Sequence, residues 1–181
     1  RTRELSNENV TDKILLQNEG GLCYEQNYIL YLFLKENGFD TTLVRGVVYN
    51  HIKQEWSKTG KTHVANLIQH NGRFYLVDTG FGGNLPLKPV PLSGEMVSSA
   101  TGDFRVEPVE SEHGDYLLHI KMKHKDQNWR IGYAFDTKNP VKRVEELDEI
   151  QTTIKEHPES AFNKRPLITK LTSTGNMTLT P

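Results

Sequence analysis

The dipeptide Asn71-Gly72 constrains the fold of this chain more than any other short feature. It lies between two runs rich in β-forming residues, "THVANLIQ" and "FYLVDT". Asn-Gly is a preferred two-residue turn of β-hairpins, because both residues tolerate the positive φ angles that the turn requires. The sequence therefore predicts an antiparallel hairpin whose register is fixed by this turn.

This register places His63 and Asp78 on the same face of the hairpin. Ala65 faces Asp78 and His63 faces Gly80, and side chains alternate between the two faces. His63 and Asp78 are then diagonal neighbours with backbones about 7–8 Å apart, and the small Ala65 and Gly80 leave room for the imidazole to lean toward the carboxylate. A carboxylate in an apolar strand needs a partner. Asp78 either orients His63 or caps the turn that follows at Thr79.

Cys23 is the only cysteine among the 181 residues, and it stands at the start of a predicted helix. The helix covers residues 23–36, and Asn37-Gly38 supplies its C-terminal stop. A helix N-terminus carries unpaired N–H groups and a partial positive charge, which favour the thiolate over the thiol. Free cysteine is also among the most buried residue types. Cys23 is therefore either a nucleophile or a small core residue.

The remaining pattern indicates an α+β fold. Short β-type runs between residues 41 and 133 indicate a β-rich layer or barrel, and we expect "GGNLPLKPVPLSG" within it to be an ordered surface loop. "VKRVEELDEIQTTIKEHPESAF" returns to helical spacing until Pro158, and the last residues have strand character. A site is expected where the first helix meets the sheet. Because the chain begins at Arg1 and stops within a strand-like segment at Pro181, we expect a fragment of a longer protein.

Composition and charge exclude several classes of function. The formal net charge is −1, with acidic and basic residues interspersed, which gives no electrostatic footprint for nucleic acid or an anionic membrane. No apolar run approaches the roughly twenty residues of a membrane span. A single cysteine cannot form a disulfide within its own chain. We expect a soluble, cytoplasmic protein whose partners are small molecules.

Of the seven histidines, His63 remains as the candidate base, because the others are set aside. His51, His70, His113, His119 and His124 are expected at polar or solvated positions, and His157 precedes a proline at the end of a helix. One cysteine and scattered histidines give no recognisable spacing of metal ligands, so no metal site is predicted.

Three stretches, "GGLCYEQN", "THVANL" and "YLVDTGFGG", resemble the arylamine N-acetyltransferase family in order, spacing and local context. That family has two glycines, an aromatic or aliphatic residue and a cysteine, then Thr-His in a strand, then Val-Asp-x-Gly-Phe-Gly. "HPESAF" followed by a strand hairpin also looks like the start of the family's third domain. The similarity covers nearly the whole chain.

The resemblance implies a papain- or transglutaminase-like fold in three parts. A helical bundle carries the cysteine, a β-barrel carries the histidine and the aspartate, and an α/β third domain forms a lid. For this chain the implied division is 1–40, 41–145 and 146–181, with the first and last parts incomplete.

The resemblance also implies a catalytic triad of Cys23, His63 and Asp78. Cys23 would take an acetyl group from acetyl-CoA and pass it to an arylamine, arylhydrazine or N-hydroxyarylamine, a ping-pong reaction of xenobiotic metabolism without a permanently bound cofactor. Asn27 matches the asparagine that supports the aspartate, and its spacing from Cys23 independently puts it on the same helical face. Phe81 matches an aromatic residue beside the acceptor pocket.

The three stretches leave the structural role of two features open. Gly80, Gly82 and Gly83 are expected either to let the backbone approach the cofactor closely or merely to form the loop that ends the strand. The family usually has arginine before the two glycines that precede the cysteine, and this chain has Glu19. That reverses a charge near the thiol, and we expect the helix start, a charged His63 and the exposure of Glu19 to water to offset it, unless a partner of this residue is also exchanged.

Three functions are compatible with these residues. The first is the acetyltransferase. The second is a thiol acyl hydrolase of the papain or transglutaminase kind, because the same triad chemistry serves any acyl transfer. The third is a catalytically inactive relative that binds CoA or a partner protein, in which the charge of Glu19 or the missing ends abolish turnover.

Overall fold

The computed structural model describes residues 4–163, 167–173 and 175–179. Its helices are α1 (Asn7–Thr11), α2 (Cys23–Glu36) and α3 (Glu145–Glu156). Its strands are β1 (Asp40–Asn50), β2 (Glu55–Trp56), β3 (His63–His70), β4 (Arg73–Val77), β5 (Val90–Pro91), β6 (Val97–Ser98), β7 (Gly102–Ser111), β8 (Gly114–Met122), β9 (Arg130–Val141), β10 (Ile168–Thr172) and β11 (Gly175–Leu179). Arg1 and Pro181 lie outside the described residues, and the expectation of a fragment stays a prediction, as does the division into three domains.

Within the described residues, nine strands form one antiparallel sheet that curls into a nearly closed barrel. The strand order is β5-β4-β3-β1-β9-β8-β7-β6, with β2 paired to β1, and β5 contacts β7 across the opening. Large apolar side chains fill the inside: Leu76, Phe104, Leu118, Ile120, Tyr133 and Phe135. Strands β10 and β11 form a separate hairpin. The arrangement confirms the α+β fold.

The turn Asn71-Gly72 forms the predicted hairpin between β3 and β4, with both residues at positive φ. The predicted register is confirmed along the whole ladder, down to the pair of Asn66 and Val77. The ladder stops at this pair, so the predicted pairs of Ala65 with Asp78 and of His63 with Gly80 are not formed. Asp78 therefore lies one residue beyond the end of β4. At this position the alternation of side chains between the two faces of the sheet no longer fixes the direction of its side chain.

Helix α2 runs from Cys23 to Glu36, as predicted. Gly38 follows it with a φ of 78°, the left-handed conformation that ends many helices. The helix packs across the outer face of β1 and β3 together with α1 and α3. The apolar side chains at this contact include Val10, Tyr24, Tyr28, Leu43, Val64, Leu147 and Ile150. This packing holds Cys23 against the strand that carries His63.

A helical segment before α2 was not predicted. Ser6 caps α1 by accepting the N–H of Asn9 at 3.1 Å, and the chain continues into a π-helical turn at Asp12–Leu16. A segment this short offers too few apolar positions for a helical period to stand out in the sequence. Among the helices of the described ranges, none is long and apolar enough to cross a membrane.

One expectation for a proline-containing segment was wrong, and a second proline-containing strand was not predicted. The expected surface loop "GGNLPLKPVPLSG" contains β5, which pairs with β4 and buries Val90 completely. Strand β7, which contains Pro108, was not predicted as a separate run. Proline is tolerated only at sheet edges or bulges, and both conditions are met: β6 covers only the other half of β7, and the register with β8 shifts after Pro108.

The last predicted helix is shorter than expected. Strand β9 continues to Val141, which pairs with Leu43 of β1, and α3 begins at Glu145. The turn between them is held by Glu146, whose carboxylate accepts the backbone N–H groups of Lys142 and Arg143. The helix ends before Pro158, as predicted.

Candidate active site

Cys23, His63 and Asp78 meet where the start of α2 lies against the end of the β3–β4 hairpin. Nε2 of His63 donates to Oδ2 of Asp78 at 2.7 Å. Cys23 is close enough to influence the pKa of His63, and its sulfur donates to the carbonyl of Thr62, the residue before His63, at 3.5 Å. His63 and Asp78 are each 5% exposed, whereas Cys23 is partly exposed. A ligand can therefore reach the sulfur atom, while the imidazole and the carboxylate are shielded behind it.

The carboxylate of Asp78 accepts four hydrogen bonds. Oδ2 receives His63 and the hydroxyl of Tyr133, at 2.7 and 2.9 Å. Oδ1 receives Nδ2 of Asn27 at 2.9 Å and the backbone N–H of Gly80 at 2.7 Å. Asp78 therefore fills both roles that the sequence left open, because it holds the imidazole and also caps the turn that follows it.

Asn27 connects the helix to both strands of the hairpin. It lies one turn after Cys23 on α2, and its Nδ2 donates to Asp78 and to the carbonyl of Val64, the latter at 2.8 Å. Its Oδ1 accepts the backbone N–H of Thr79 at 3.1 Å. The side chain is fully buried. It therefore lies where the resemblance implied, beside the aspartate.

Tyr133 is a site residue that the sequence analysis missed. It comes from β9, and its ring centroid lies 4.4 Å from that of His63. Burial and the charge and hydrogen bond of Asp78 raise the pKa of Tyr133 well above its usual value, so it remains a proton donor to the carboxylate. The alternation of side chains along a strand is compatible with an inward-facing Tyr133. The sequence did not reveal its contact with Asp78, because it did not show that β9 lies next to β1.

The electrostatics favour a charged imidazole. Burial by itself lowers the pKa of His63, but the charge of Asp78 and the hydrogen bonds to Asp78 and Cys23 outweigh it and raise the pKa to about 10. Burial pushes the pKa of Asp78 upward, yet the charge of His63 and the hydrogen bonds from His63, Asn27 and Gly80 leave it below its usual value. The two residues therefore form an imidazolium–carboxylate pair at neutral pH.

This pair should make stability depend on pH. Between the ordinary pKa of 6.5 and the raised value of about 10, the folded chain keeps a proton on His63 that the unfolded chain releases. The free energy of unfolding should therefore fall as pH rises through this window, by up to about 1.4 kcal/mol per pH unit. Asp78 acts in the opposite sense, since its contribution is lost as pH falls below 3.8.

Urea titrations of the parent and of His63→Gln across the alkaline window measure this difference. In the variant, the free energy of unfolding should fall less steeply as pH rises, because the contribution of His63 is absent. Equal slopes in the two proteins would contradict the raised pKa.

Phe81 lies against the imidazole, on the side of the open space next to Cys23. Its ring centroid is 5.2 Å from that of His63 and 5.0 Å from that of Tyr133. A Cβ added to Gly132 would lie 3.1 Å from the Phe81 ring, so glycine there makes room for the aromatic side chain. Phe81 forms an apolar wall beside the imidazole.

The three glycines of the motif differ in their surroundings. A Cβ on Gly80 would lie 2.5 Å from the Cα of Cys23, so glycine is required there by packing against the helix. Gly83 faces the side chain of Asn176 in the β10–β11 hairpin, which donates to its carbonyl at 2.8 Å. Gly82 has a φ of 55° and faces open space. All three glycines line the cavity that opens at Cys23.

A cavity of about 670 Å³ opens at Cys23. Its walls come from the start of α2, the region of β2, the loop after Asp78 and the segment that leads into β10. Apolar and aromatic side chains in the walls include Trp56, Phe81, Phe162, Leu167 and Leu171, and the lysines are Lys53, Lys58 and Lys170. The volume suits a ligand of drug or cofactor size. A thiol, an imidazole and a buried carboxylate in this order can perform nucleophilic acyl transfer.

Comparisons with known proteins show which family this chain belongs to. A family model described as N-acetyltransferase matches residues 1–181. The uncharacterized acetyltransferase YvcN of Bacillus subtilis is 40% identical over 176 residues, which are 97% of this chain and 67% of that protein.

Two solved structures share the fold. An arylamine N-acetyltransferase of Bacillus cereus, described as having a unique Cys-His-Glu catalytic triad, is 44% identical with a TM-score of 0.92; the match covers 99% of this chain and 68% of that chain. The Mycobacterium marinum arylamine N-acetyltransferase in complex with CoA is 25% identical with a TM-score of 0.82, over 99% and 64% of the two chains.

The chain thus spans between 64% and 68% of the length of these relatives. The family model matches from end to end, and the solved relatives have the same arrangement of helix and curled sheet. The resemblance found in the three sequence motifs is confirmed: this chain belongs to the arylamine N-acetyltransferase family.

Proposed function

We propose that this chain carries the catalytic centre of an acetyl-CoA-dependent arylamine N-acetyltransferase. The observation that carries the proposal is the partly exposed thiol of Cys23, which lies beside a buried imidazolium–carboxylate pair and opens to a large cavity. Family membership supports the acyl-transfer chemistry, and the Mycobacterium marinum relative that was solved with CoA supports acetyl-CoA as the donor. The acceptor would be an arylamine, an arylhydrazine or an N-hydroxyarylamine.

In the first half-reaction, the sulfur of Cys23 attacks the carbonyl carbon of acetyl-CoA. A bond forms between this carbon and the Cys23 sulfur, and the bond to the CoA sulfur breaks. The departing CoA thiolate takes the proton from the His63 imidazolium. Acetyl-Cys23, neutral His63 and CoA remain, and Asp78 keeps the ring oriented while its charge changes.

In the second half-reaction, the nitrogen or oxygen of the acceptor attacks the acetyl carbon. Neutral His63 takes the proton of the attacking atom, and the bond to the Cys23 sulfur breaks. The thiolate and the imidazolium are thereby restored. The pair returns to its starting charge, so no external base is consumed.

The cavity walls suit both substrates. Phe81 and Trp56 offer flat apolar surface for the ring of an aromatic acceptor. Lys53, Lys58 and Lys170 offer positive charge for the phosphates of CoA. Phe81 also lies against His63, which would bring an acceptor that packs on it close to the general base.

Steady-state kinetics test this proposal. Initial rates are measured while acetyl-CoA and an arylamine such as aniline are varied against each other. A thioester intermediate gives parallel lines in double-reciprocal plots, because CoA leaves before the acceptor reacts. Intersecting lines would contradict the proposal. Release of CoA at the same rate with and without the arylamine would instead favour the thiol hydrolase.

A further inference from the structure

Glu25 is a buried carboxylate that the proposed chemistry does not use. It lies two residues after Cys23, in the first turn of α2, and its side chain is 6% exposed. Oε2 accepts the backbone N–H of Leu22 at 2.9 Å, which caps the helix at the residue before Cys23. A Cβ on Gly21 would lie 3.2 Å from Oε2, so this glycine makes room for the carboxylate. Oε1 forms an ion pair with Nζ of Lys13 at 2.5 Å.

Lys13 reaches Glu25 from the π-helical turn that follows α1. Its side chain is 13% exposed. In this turn the N–H of Gln17 donates to the carbonyl of Asp12 at 2.8 Å, and the N–H of Glu19 donates to the carbonyl of Lys13 at 2.9 Å. Turns of this wide kind are rare and occur frequently at functional sites. Here the turn directs one lysine side chain to the start of α2 and anchors the loop that leads to Cys23.

The cation in this part of the site does not come from the position before the two glycines, where the chain has Glu19. We propose that Lys13 supplies it, and that Lys13 is a positioning residue: by neutralising Glu25 it fixes the first turn of α2 and the thiol of Cys23. The inference rests on the proposed function only in taking Cys23 as the nucleophile.

Removal of one partner from a buried ion pair leaves the other as an uncompensated buried charge. Without Lys13, Glu25 is an unpaired charge in a site with little access to water, which is strongly unfavourable. The carboxylate must then move toward solvent and give up the N–H of Leu22, and the helix start that carries Cys23 moves with it. If both charges are removed, no unpaired charge remains, and a glutamine at position 25 can still accept the N–H of Leu22.

The rate of alkylation of Cys23 by iodoacetamide at neutral pH tests the inference, because it needs neither acetyl-CoA nor an acceptor. Lys13→Gln should react at least about tenfold more slowly than the parent, since the reactivity of the thiol depends on its place at the N-terminus of α2 and beside His63. Lys13→Arg should react close to the parent rate. The double variant Lys13→Gln/Glu25→Gln should recover most of the loss. Lys35→Gln, an exposed lysine at the far end of α2, is the control with the same change in net charge.

A Lys13→Gln rate equal to that of the Lys35→Gln control would overturn the inference. So would a double variant that folds but reacts as slowly as the single one, because Lys13 would then not act through the charge of Glu25. If Lys13→Gln does not fold, the double variant provides the test. The inference then requires that the double variant folds and is alkylated at close to the parent rate. If alkylation behaves as expected but acetyl-CoA does not acetylate the parent, the proposed function fails and the role of Lys13 stands.

Discussion

Asp78→Asn should slow the acetylation of Cys23 by about 10⁴-fold while the chain still folds; the corresponding change in a serine triad has an effect of this size. Asp78 accepts four donors at its two oxygens, and an asparagine presents an acceptor at only one of them. The imidazolium of His63 also loses the charge that stabilises it. Stopped-flow measurement of acetyl transfer from acetyl-CoA to the parent and the variant gives the ratio.

Asp78→Glu provides a useful comparison, because it retains the charge but lengthens the side chain. Its carboxylate cannot meet all four donors from the same backbone position, so its rate should fall between those of the parent and Asp78→Asn. Near-ultraviolet circular dichroism verifies that each variant is folded. If folded Asp78→Asn is acetylated nearly as fast as the parent, the aspartate is only a turn cap.

Gly80→Ala should have the second large effect, through packing rather than chemistry. Its new methyl group would lie 2.5 Å from the Cα of Cys23 and 2.7 Å from Nδ2 of Asn27. Overpacking of this kind costs about 1–3 kcal/mol of stability. It would also separate the helix start from the carboxylate, and a displacement near 1 Å can lower the rate by about 10²-fold. Urea titration and the acetylation rate measure the two consequences.

Gly20→Ala is the matched control for Gly80→Ala. Gly20 belongs to the motif that contains Cys23, but a Cβ there meets no atom within 4 Å, and its φ is not in the left-handed region. The control should keep both the stability and the rate of the parent. If Gly80→Ala behaves like this control, the close approach of the loop to α2 does not hold the site together.

The parts of the site that the sequence could predict depend on local patterns. The turn at Asn71-Gly72 alone fixed the register that brings His63 and Asp78 together, because a two-residue turn leaves one pairing. The place of Cys23 followed from the helical spacing after it and from its own position in the first turn. Neither inference needed to know which strands lie side by side in the sheet.

The parts that the sequence could not predict depend on neighbours that are distant along the chain. Tyr133 contacts Asp78 because β9 pairs with β1, and no local pattern specifies that pairing. The pairing of Lys13 with Glu25 depends on a wide helical turn with no recognisable sequence signal. Strand β5 was missed because its segment contains three prolines, which normally argue against a strand, and only the edge position makes proline acceptable here.

Intact-mass measurement of the chain after incubation with acetyl-CoA, without an acceptor, tests the central claim most directly. We expect one added acetyl group, which peptide mapping should locate on Cys23. The group should be absent in Cys23→Ala, and it should be removed when an arylamine is added. Acetylation that persists in Cys23→Ala, or a parent chain that remains unmodified although iodoacetamide alkylates Cys23 readily, would contradict the account.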